Sequence, residues 1–310
     1  MRYDIVGIGV SAVDVLTVVE EFPAREGVQR AVRSSVQGGG PVATALAAAS
    51  KLGASAAMID RIGDDWRGRL ISEDFRRCGV SEEWVETARG RSSAIASILV
   101  RRRDGARAIV FSPGDAEEMG EEDLPRRAIE GARIVHGNGR HLGACLAAFR
   151  FAREKGVLVS FDGGAHRYRP ELDALLPYVD LCIVARSFAE EFAGTTDPER
   201  AARALGEAGP PVVVITAGEE GSWIYEGKKA PAHQPAFPLE RVIDTTGCGD
   251  AYHGAFLFGS SRGMELCASA RFASAVAAIV ACGLGGREPL PTLEEVERFL
   301  ALRNGRTKGE

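Results

Sequence analysis

Asp250 closes a run of small residues in the stretch VIDTTGCGDAYHGAF, Val242–Phe256. Ala251, Gly254, Ala255 and Phe258 follow at the i, i+3, i+4, i+7 spacing of a helix face. A helix is therefore expected to begin near Gly249–Asp250. The backbone N–H groups of Gly247, Cys248 and Gly249 would then be free at its positive end, where phosphate is attracted. A carboxylate kept ionised there serves either as a helix cap or as a base that takes the proton of an attacking hydroxyl. Phosphoryl transfer asks for both parts, a positioned base and donors for the charge on the transferred group. Local chemistry alone leaves cap and base open.

Other stretches carry chemistry of a compatible kind. Asp14 follows the first apolar run and is expected at its carboxyl end, where open parallel sheets bind ligands; a carboxylate there accepts two hydroxyls. QGGGPVATALAAASKLG sets Gly39 and Gly40 before an Ala-rich helix, which suits close approach of a ligand or simply a tight turn. Thr216, Gly218 and Gly221 of ITAGEEGSWIY frame a nucleotide or a hairpin turn. DRIGDDWRGRL reads as a turn and helix cap. GIGVSA resembles a dinucleotide fingerprint but is followed by a strand pattern rather than a helix, which argues against a nicotinamide site. Asn138, Arg140 and His141 follow one core strand, and Asp162, His166, Arg167 and Arg169 follow another. Arginines there suit an acidic sugar, or else are exposed and paired with nearby acids.

These residues need a frame. Short β-branched runs (YDIVGIG, ARIVHGN, GVLVSFDGG, LCIVA, PVVVITAG) alternate with helical segments such as Pro41–Leu52, Leu142–Lys155 and Ala189–Leu205. This pattern predicts an α/β fold, a doubly wound, mostly parallel sheet with helices on both faces. Val15–Gln37 and Ser92–Ser112 alternate instead, the second around an Asp104-Gly105 turn. They are expected to form a small β-sheet lid (15–37 and 92–112) beside a core of 1–14, 38–91 and 113–310. The 310 residues carry 38 basic and 43 acidic side chains, a net charge of −5, which calls for neither nucleic acid nor a membrane surface. The run Arg101–Arg103 reads as a solvated strand end. Six cysteines with no C-x-x-C pair, and no leader or spanning segment, point to reduced thiols in a cytoplasmic protein.

Together the motifs resemble the ribokinase-like, or PfkB, family of carbohydrate and nucleoside kinases. DTTGCGDAYHGAF is similar to the C-terminal signature, with Cys248 in place of Ala. GGGPVATALAAASKLG, RIGDDWRGRLISEDFRRCGV, SPGDA and TAGEEG resemble further segments in family order, across essentially the whole chain. The resemblance implies ATP and Mg²⁺, with Asp250 as catalytic base and Gly247, Cys248 and Gly249 as anion hole. It implies substrate contacts from Asp14, Gly39 and Gly40, and a nucleotide loop at Thr216, Gly218 and Gly221. Asp244 and Thr246 match positions that hold a monovalent cation, K⁺, in some members. Thr44 replaces the usual Asn of the first signature. Ser187 replaces the Asn of the N-x-x-E element, whose Glu190 is kept for indirect Mg²⁺ contact. Cys248 is expected to be a small buried side chain, and His253 structural. VHGNGRHLG resembles a turn of the ketohexokinase-like branch. The expectation is an ATP-dependent sugar kinase acting on a ketose or an acidic sugar derivative, a homodimer through the lid. The alternatives are a nucleoside kinase, using Phe111, Trp66 or Tyr168 against a base, and a binding protein that has lost catalysis.

Overall fold

The computed structural model describes residues 3–306. Among these residues, thirteen strands form two sheets. The large one is built from β1 (Tyr3–Ile8), β4 (Ala56–Gly63), β5 (Val80–Ala88), β8 (Ala132–Gly137), β9 (Leu158–Gly163), β10 (Leu181–Ala185), β11 (Val212–Thr216), β12 (Ser222–Glu226) and β13 (Ala232–Gln234). Its order is β13-β12-β11-β10-β9-β8-β1-β4-β5. Only the β11-β12 and β12-β13 pairs are antiparallel. The small sheet has the order β3-β2-β6-β7, from β2 (Ala12–Val19), β3 (Arg33–Gly39), β6 (Ala94–Arg101) and β7 (Arg107–Ser112).

Helices cover both faces of the large sheet because its central strands are apolar on both. Ile5, Met58 and Ile183 face one core, packed by α1 (Pro41–Lys51), α2 (Trp66–Cys78), α7 (Cys248–Ser261), α8 (Leu266–Val280) and α9 (Leu293–Arg306). Val6, Ile59 and Val184 face the other, packed by α3 (Arg126–Glu130), α4 (Leu142–Glu154), α5 (Arg186–Ala193) and α6 (Pro198–Glu207). The periodicity across Ala189–Leu205 belongs to two helices rather than one. Gly194, left-handed at φ 61°, ends α5, and Asp197 caps α6 through the N–H groups of Glu199 and Arg200. β4 and β5 were not legible as strands, since Asp60 and Arg61 break the apolar run of the first and polar residues fill the second.

Register in the small sheet decides what faces the cleft. Asp14 pairs with Gln37 on one side and Ala96 on the other, and Ala96 with Phe111. Residues directly opposite share a face. Asp14, Gln37, Ala96 and Phe111 therefore lie in one row, and Ile109 and Arg107 share that face by the two-residue period. Asp14, expected at the end of the first core strand, belongs instead to β2 and to the small sheet. The Asp104-Gly105 turn places Gly105 at φ 67°, against the segment 242–244 of the core. Arg101 pairs with Asp104, Arg102 with Glu20 and Arg103 with Glu21, all at the surface, as a solvated strand end requires.

Candidate active site

α7 begins at Cys248, with Gly247 as its N-cap in the left-handed region, φ 76°. A side chain is excluded at Gly247, because a Cβ would lie 2.5 Å from Cα of Gly286. Gly249 is the reverse case: it is exposed, and a Cβ there would meet nothing within 4 Å. Cys248 N–H is bent back to the Thr245 carbonyl at 3.4 Å. The N–H groups of Gly249 and Asp250 find no acceptor among the described residues, so they are the donors this helix end offers outward. The helix starts one to two residues earlier than its apolar spacing predicts, which leaves Asp250 in the first turn and not at the cap.

Asp250 makes no hydrogen bond to another described side chain. Burial pushes its carboxyl up, Arg167 pulls it down, the neighbouring Asp162 raises it, and His253 and Arg107 lower it. Proton affinity above the carboxylate norm, beside free donors, suits a base more than a cap. Arg107 reaches the same place from the small sheet. Its guanidinium donates to Thr245 Oγ1, and Thr245 Oγ1 donates to the Gly105 carbonyl at 3.3 Å. Cys248 is half-buried; its thiol rests 3.9 Å from the Asp244 carbonyl, and burial pushes it up to about 12. A thiol so held is no nucleophile.

Across the cleft, Asp14 is buried, and burial lifts its carboxyl to about 7; Arg287 opposes that shift, while Asp250, Asp244 and Asp74 add to it. Gly39 is packed under it, so closely that a Cβ would stand 2.2 Å from Asp14 Oδ1. Gly40, at φ 91°, turns the chain into α1 with Val10 O only 2.4 Å from where a Cβ would sit. Thr44 lies in the first turns of α1, buried, its methyl facing Gly286. The residue that ties this corner together was missed in the sequence. Arg287, with a 1% exposed side chain, ion-pairs Asp74 through Nε at 2.9 Å and donates to the carbonyls of Ala43 and Gly39. A lone Arg in GLGGREPLP gave no periodic signal.

The remaining predicted residues divide. Asn138 Oδ1 accepts the N–H of Arg140 at 3.2 Å, which turns Arg140 into the cleft over Phe111 at 5.6 Å. His141 is spent: its Nε2 bonds Asp60 at 2.8 Å and its Nδ1 accepts Met119 N–H at 3.1 Å. Arg169 is tied to the Gly139 carbonyl at 2.7 Å, and exposed His166 contacts Glu191. Tyr168 is not available to a base, being packed edge-on against Phe188 and Phe192, and Trp66 stands at the surface on α2. Asp162 and His253 are buried together at 3.5 Å, with His136 behind them. Ser187 Oγ accepts the His166 N–H, and Glu190 lies one turn along α5, half-buried. Thr216 Oγ1 donates to the Val184 carbonyl at 3.3 Å; Gly218 is open to solvent; Gly221, at φ 93°, is required by the hairpin, since a Cβ would strike Gln234 O at 2.1 Å. Both Asp244 oxygens accept N–H groups, of Thr246 and Gly285 at 2.8 Å each, and buried Thr246 Oγ1 has no partner among the described residues. Among the described residues, no group of three or more His, Cys, Asp and Glu could hold a metal ion.

A donor-bearing helix end facing two carboxylates, at the strand ends of a doubly wound sheet with a small sheet beside it, defines a ribokinase-like kinase. The chain belongs to the pfkB family of carbohydrate kinases, whose model matches residues 3–293. It is thus an ATP-dependent phosphotransferase with an alcohol acceptor. It is 30% identical to the nucleoside kinase of Methanothermobacter thermautotrophicus over 303 residues, 96% of each chain. It is 29% identical to the ATP-dependent ribose-1-phosphate kinase of Halopiger xanaduensis, over 94% of this chain and 95% of that one. In fold it matches Arabidopsis thaliana ribokinase complexed with ribose and ATP, with a TM-score of 0.84 at 23% identity, over 97% and 99% of the two chains. No helix among the described residues is long and apolar enough to cross a membrane.

Proposed function

We propose that this kinase phosphorylates a hydroxymethyl group of a small sugar, a ketose or an acidic sugar derivative, with Asp250 as the base. The observation that carries the reading is the pair of free N–H groups at Gly249 and Asp250, set beside a carboxylate of raised proton affinity. The open space over Gly249 fits a phosphate, and Thr216 and Gly218 border the nucleotide's side. Bound there, MgATP supplies the phosphoryl group and neutralises part of its charge. Glu190 would contact Mg²⁺ only indirectly, since no cluster among the described residues could cage the ion, and Ser187 holds the loop of Arg167 through the His166 N–H. Asp14 accepts the sugar's hydroxyls, Thr44 and Asn138 line its path, and Asp250 takes the proton of the attacking hydroxyl. The N–H groups of Gly249 and Asp250, rather than the expected Gly247, Cys248 and Gly249 set, and the Arg107 guanidinium then stabilise the transferred charge. Asp244 and the unpartnered Thr246 hydroxyl suit a weakly bound K⁺ that steadies the loop before α7.

The small sheet serves as a lid over this cleft. Its outer face shows Val36 and Val110, 51% and 73% exposed, an apolar surface suited to a second copy of the chain. The M. thermautotrophicus relative supports the nucleoside alternative, with Phe111 as the only aromatic of the three candidates that faces the cleft. ADP release with MgATP across ketoses, aldoses, acidic sugars and nucleosides decides between them. Turnover of nucleosides alone would overturn the sugar reading.

A further inference from the structure

Beneath Asp250 the core is polar where packing alone asks for apolar side chains. His253 lies one turn along α7 from Asp250, at i+3, and so on the same side of the helix. Around it on α7, Ala251, Tyr252, Ala255 and Phe256 all serve the core. The His253 side chain, 5% exposed, stands with Nε2 3.5 Å from Oδ1 of Asp162 in β9, itself 3% exposed. His136 of β8 lies against the same imidazole, the ring centroids 5.6 Å apart, and its Nδ1 meets Ser160 Oγ at 3.2 Å. Three polar atoms in this one place, His136 Nε2, His253 Nδ1 and Asp162 Oδ2, have no hydrogen-bond partner among the described residues. Buried polar groups in folded chains are nearly all satisfied, and a cluster left short points to a functional constraint rather than to packing.

The cluster joins two elements that the reaction needs together. α7 carries Asp250 in its first turn, and β9 runs out through Asp162 into the loop of Arg167. After burial itself, Arg167 has the largest hold on the Asp250 carboxyl and Asp162 the next. Burial lowers both imidazoles, His136 to about 3 and His253 to about 4, so at neutral pH each is an uncharged ring with one N–H. Asp162 is lifted by burial and held down by Arg167 and His136. The other groups that face the cluster are Arg107 from the small sheet and Cys182 of β10, whose thiol is pushed up by burial and by Asp162. Asp14 and Cys248 feel the charge of Asp250 from its far side. His253 is thus a neutral donor set against the Asp162 carboxyl, one helical turn behind the base.

We infer that His253 is a positioning residue for phosphoryl transfer: its Nε2–H holds the Asp162 carboxylate and so fixes the turn of α7 that bears Asp250 against the strand end that leads to Arg167. The inference rests on Asp250 as the base and adds a residue behind it. Two consequences separate this role from that of a core histidine. Without the imidazole N–H, base and guanidinium keep no fixed spacing, and turnover falls with little change in binding. Asp162 also loses its donor. It then keeps its proton to higher pH and no longer repels the charge on Asp250, which becomes the weaker base. The acid limb of kcat therefore moves to lower pH.

The test follows ADP release from MgATP with the fastest acceptor among fructose, ribose, gluconate and adenosine. It compares the wild-type chain with His253→Leu, His253→Gln, Asp162→Asn, the double variant of His253→Leu with Asp162→Asn, and Asp250→Asn, each shown to unfold in a single transition. His253→Leu is expected to lower kcat by about 10-fold, to change KM for ATP by less than about twofold, and to move the acid limb of kcat down by about one pH unit. His253→Gln, whose amide N–H reaches the place of Nε2, is expected to recover most of both losses. Asp162→Asn is expected to move the limb the same way, and the double variant no further. An unchanged kcat and limb in His253→Leu, a His253→Gln as impaired as His253→Leu, or additive shifts in the double variant overturns the proposal, while an inactive Asp250→Asn leaves the base standing. An active Asp250→Asn overturns base and proposal together. If none of these acceptors is turned over, nitrogen-15 NMR of the His253 imidazole decides. A neutral Nε2–H ring whose Nε2 resonance shifts in Asp162→Asn supports the tie, and one indifferent to Asp162→Asn overturns it.

Discussion

Arg287 is the residue on which the sugar side of the cleft is expected to depend most. Its guanidinium and the Asp74 carboxylate are 1% and 2% exposed, and the pair lies beneath Gly38–Gly40. Arg287→Met keeps the side-chain volume and removes the charge. Asp74 then keeps only Arg77, itself 60% exposed, as a cationic partner. Breaking a buried pair from one side costs about 3–5 kcal/mol; the remaining Arg77 places the expected loss near the lower end, about 3 kcal/mol. Urea unfolding measures it directly, as a lower midpoint at constant slope. Replacing both partners, Asp74→Leu with Arg287→Met, leaves no orphaned charge and is expected to recover most of the loss, a strongly non-additive cycle. Activity carries an independent signature. Arg287 lowers the Asp14 carboxyl and holds the Gly39 carbonyl, so its removal is expected to raise KM for the sugar more than it lowers kcat. A loss under about 1 kcal/mol, or additive single and double variants, refutes the argument that burial and pairing dominate here.

Asp250→Asn should fold like the wild type and bind ATP, yet lose about 10²–10⁴-fold in kcat; retention of more than a tenth of the activity in single-turnover assays contradicts the base assignment. Asp14 holds its proton up to about pH 7 when folded, whereas an unfolded carboxyl releases it near pH 4. The folded state therefore binds the extra proton between those values, and stability is expected to fall as pH rises from 4 to 7, by up to about 4 kcal/mol. Asp14→Asn should flatten that slope in thermal unfolding, and an unchanged slope assigns it elsewhere. Gly39→Ala has no backbone strain but sets a methyl against the Asp14 carboxyl, so KM for the sugar should rise with little change in melting temperature; an unchanged KM shows that Asp14 can step aside. Arg107→Gln is expected to lower kcat by about 10–100-fold, the worth of a charge-assisted hydrogen bond, with KM for ATP nearly unchanged. A pure KM effect would make Arg107 a binding group.

Much of this site was legible because its parts depend on local rules. Gly247 and Asp250 sit where a turn meets an apolar helical pattern, and both fall within a residue or two of the expected helix start. The strand pattern of the parallel sheet showed because both faces are buried. What escaped the sequence depends on tertiary partners. Arg287 has no periodic neighbours, and its role arises only when Asp74 of α2 and Gln37 of β3 come beside it. Arg107 looked like any polar residue in a hairpin until the strand register put it on the face of Asp14. His141 seemed available because Asp60, eighty-one positions away, carries no local sign of pairing with it.

The turn at Asp104-Gly105 has a bearing on fidelity. Gly105 rests on Val242 and Asp244, and Thr245 bonds both that turn and Arg107, so the small sheet and the loop before α7 share one joint. A compound too bulky to let the small sheet settle would hold that joint apart. It would still occupy the pocket, but Arg107 would stand away from the transferred group and water could enter. Mismatched sugars would then be discriminated by lost turnover more than by lost affinity, with the joint between the hairpin tip and the loop as the sensing element.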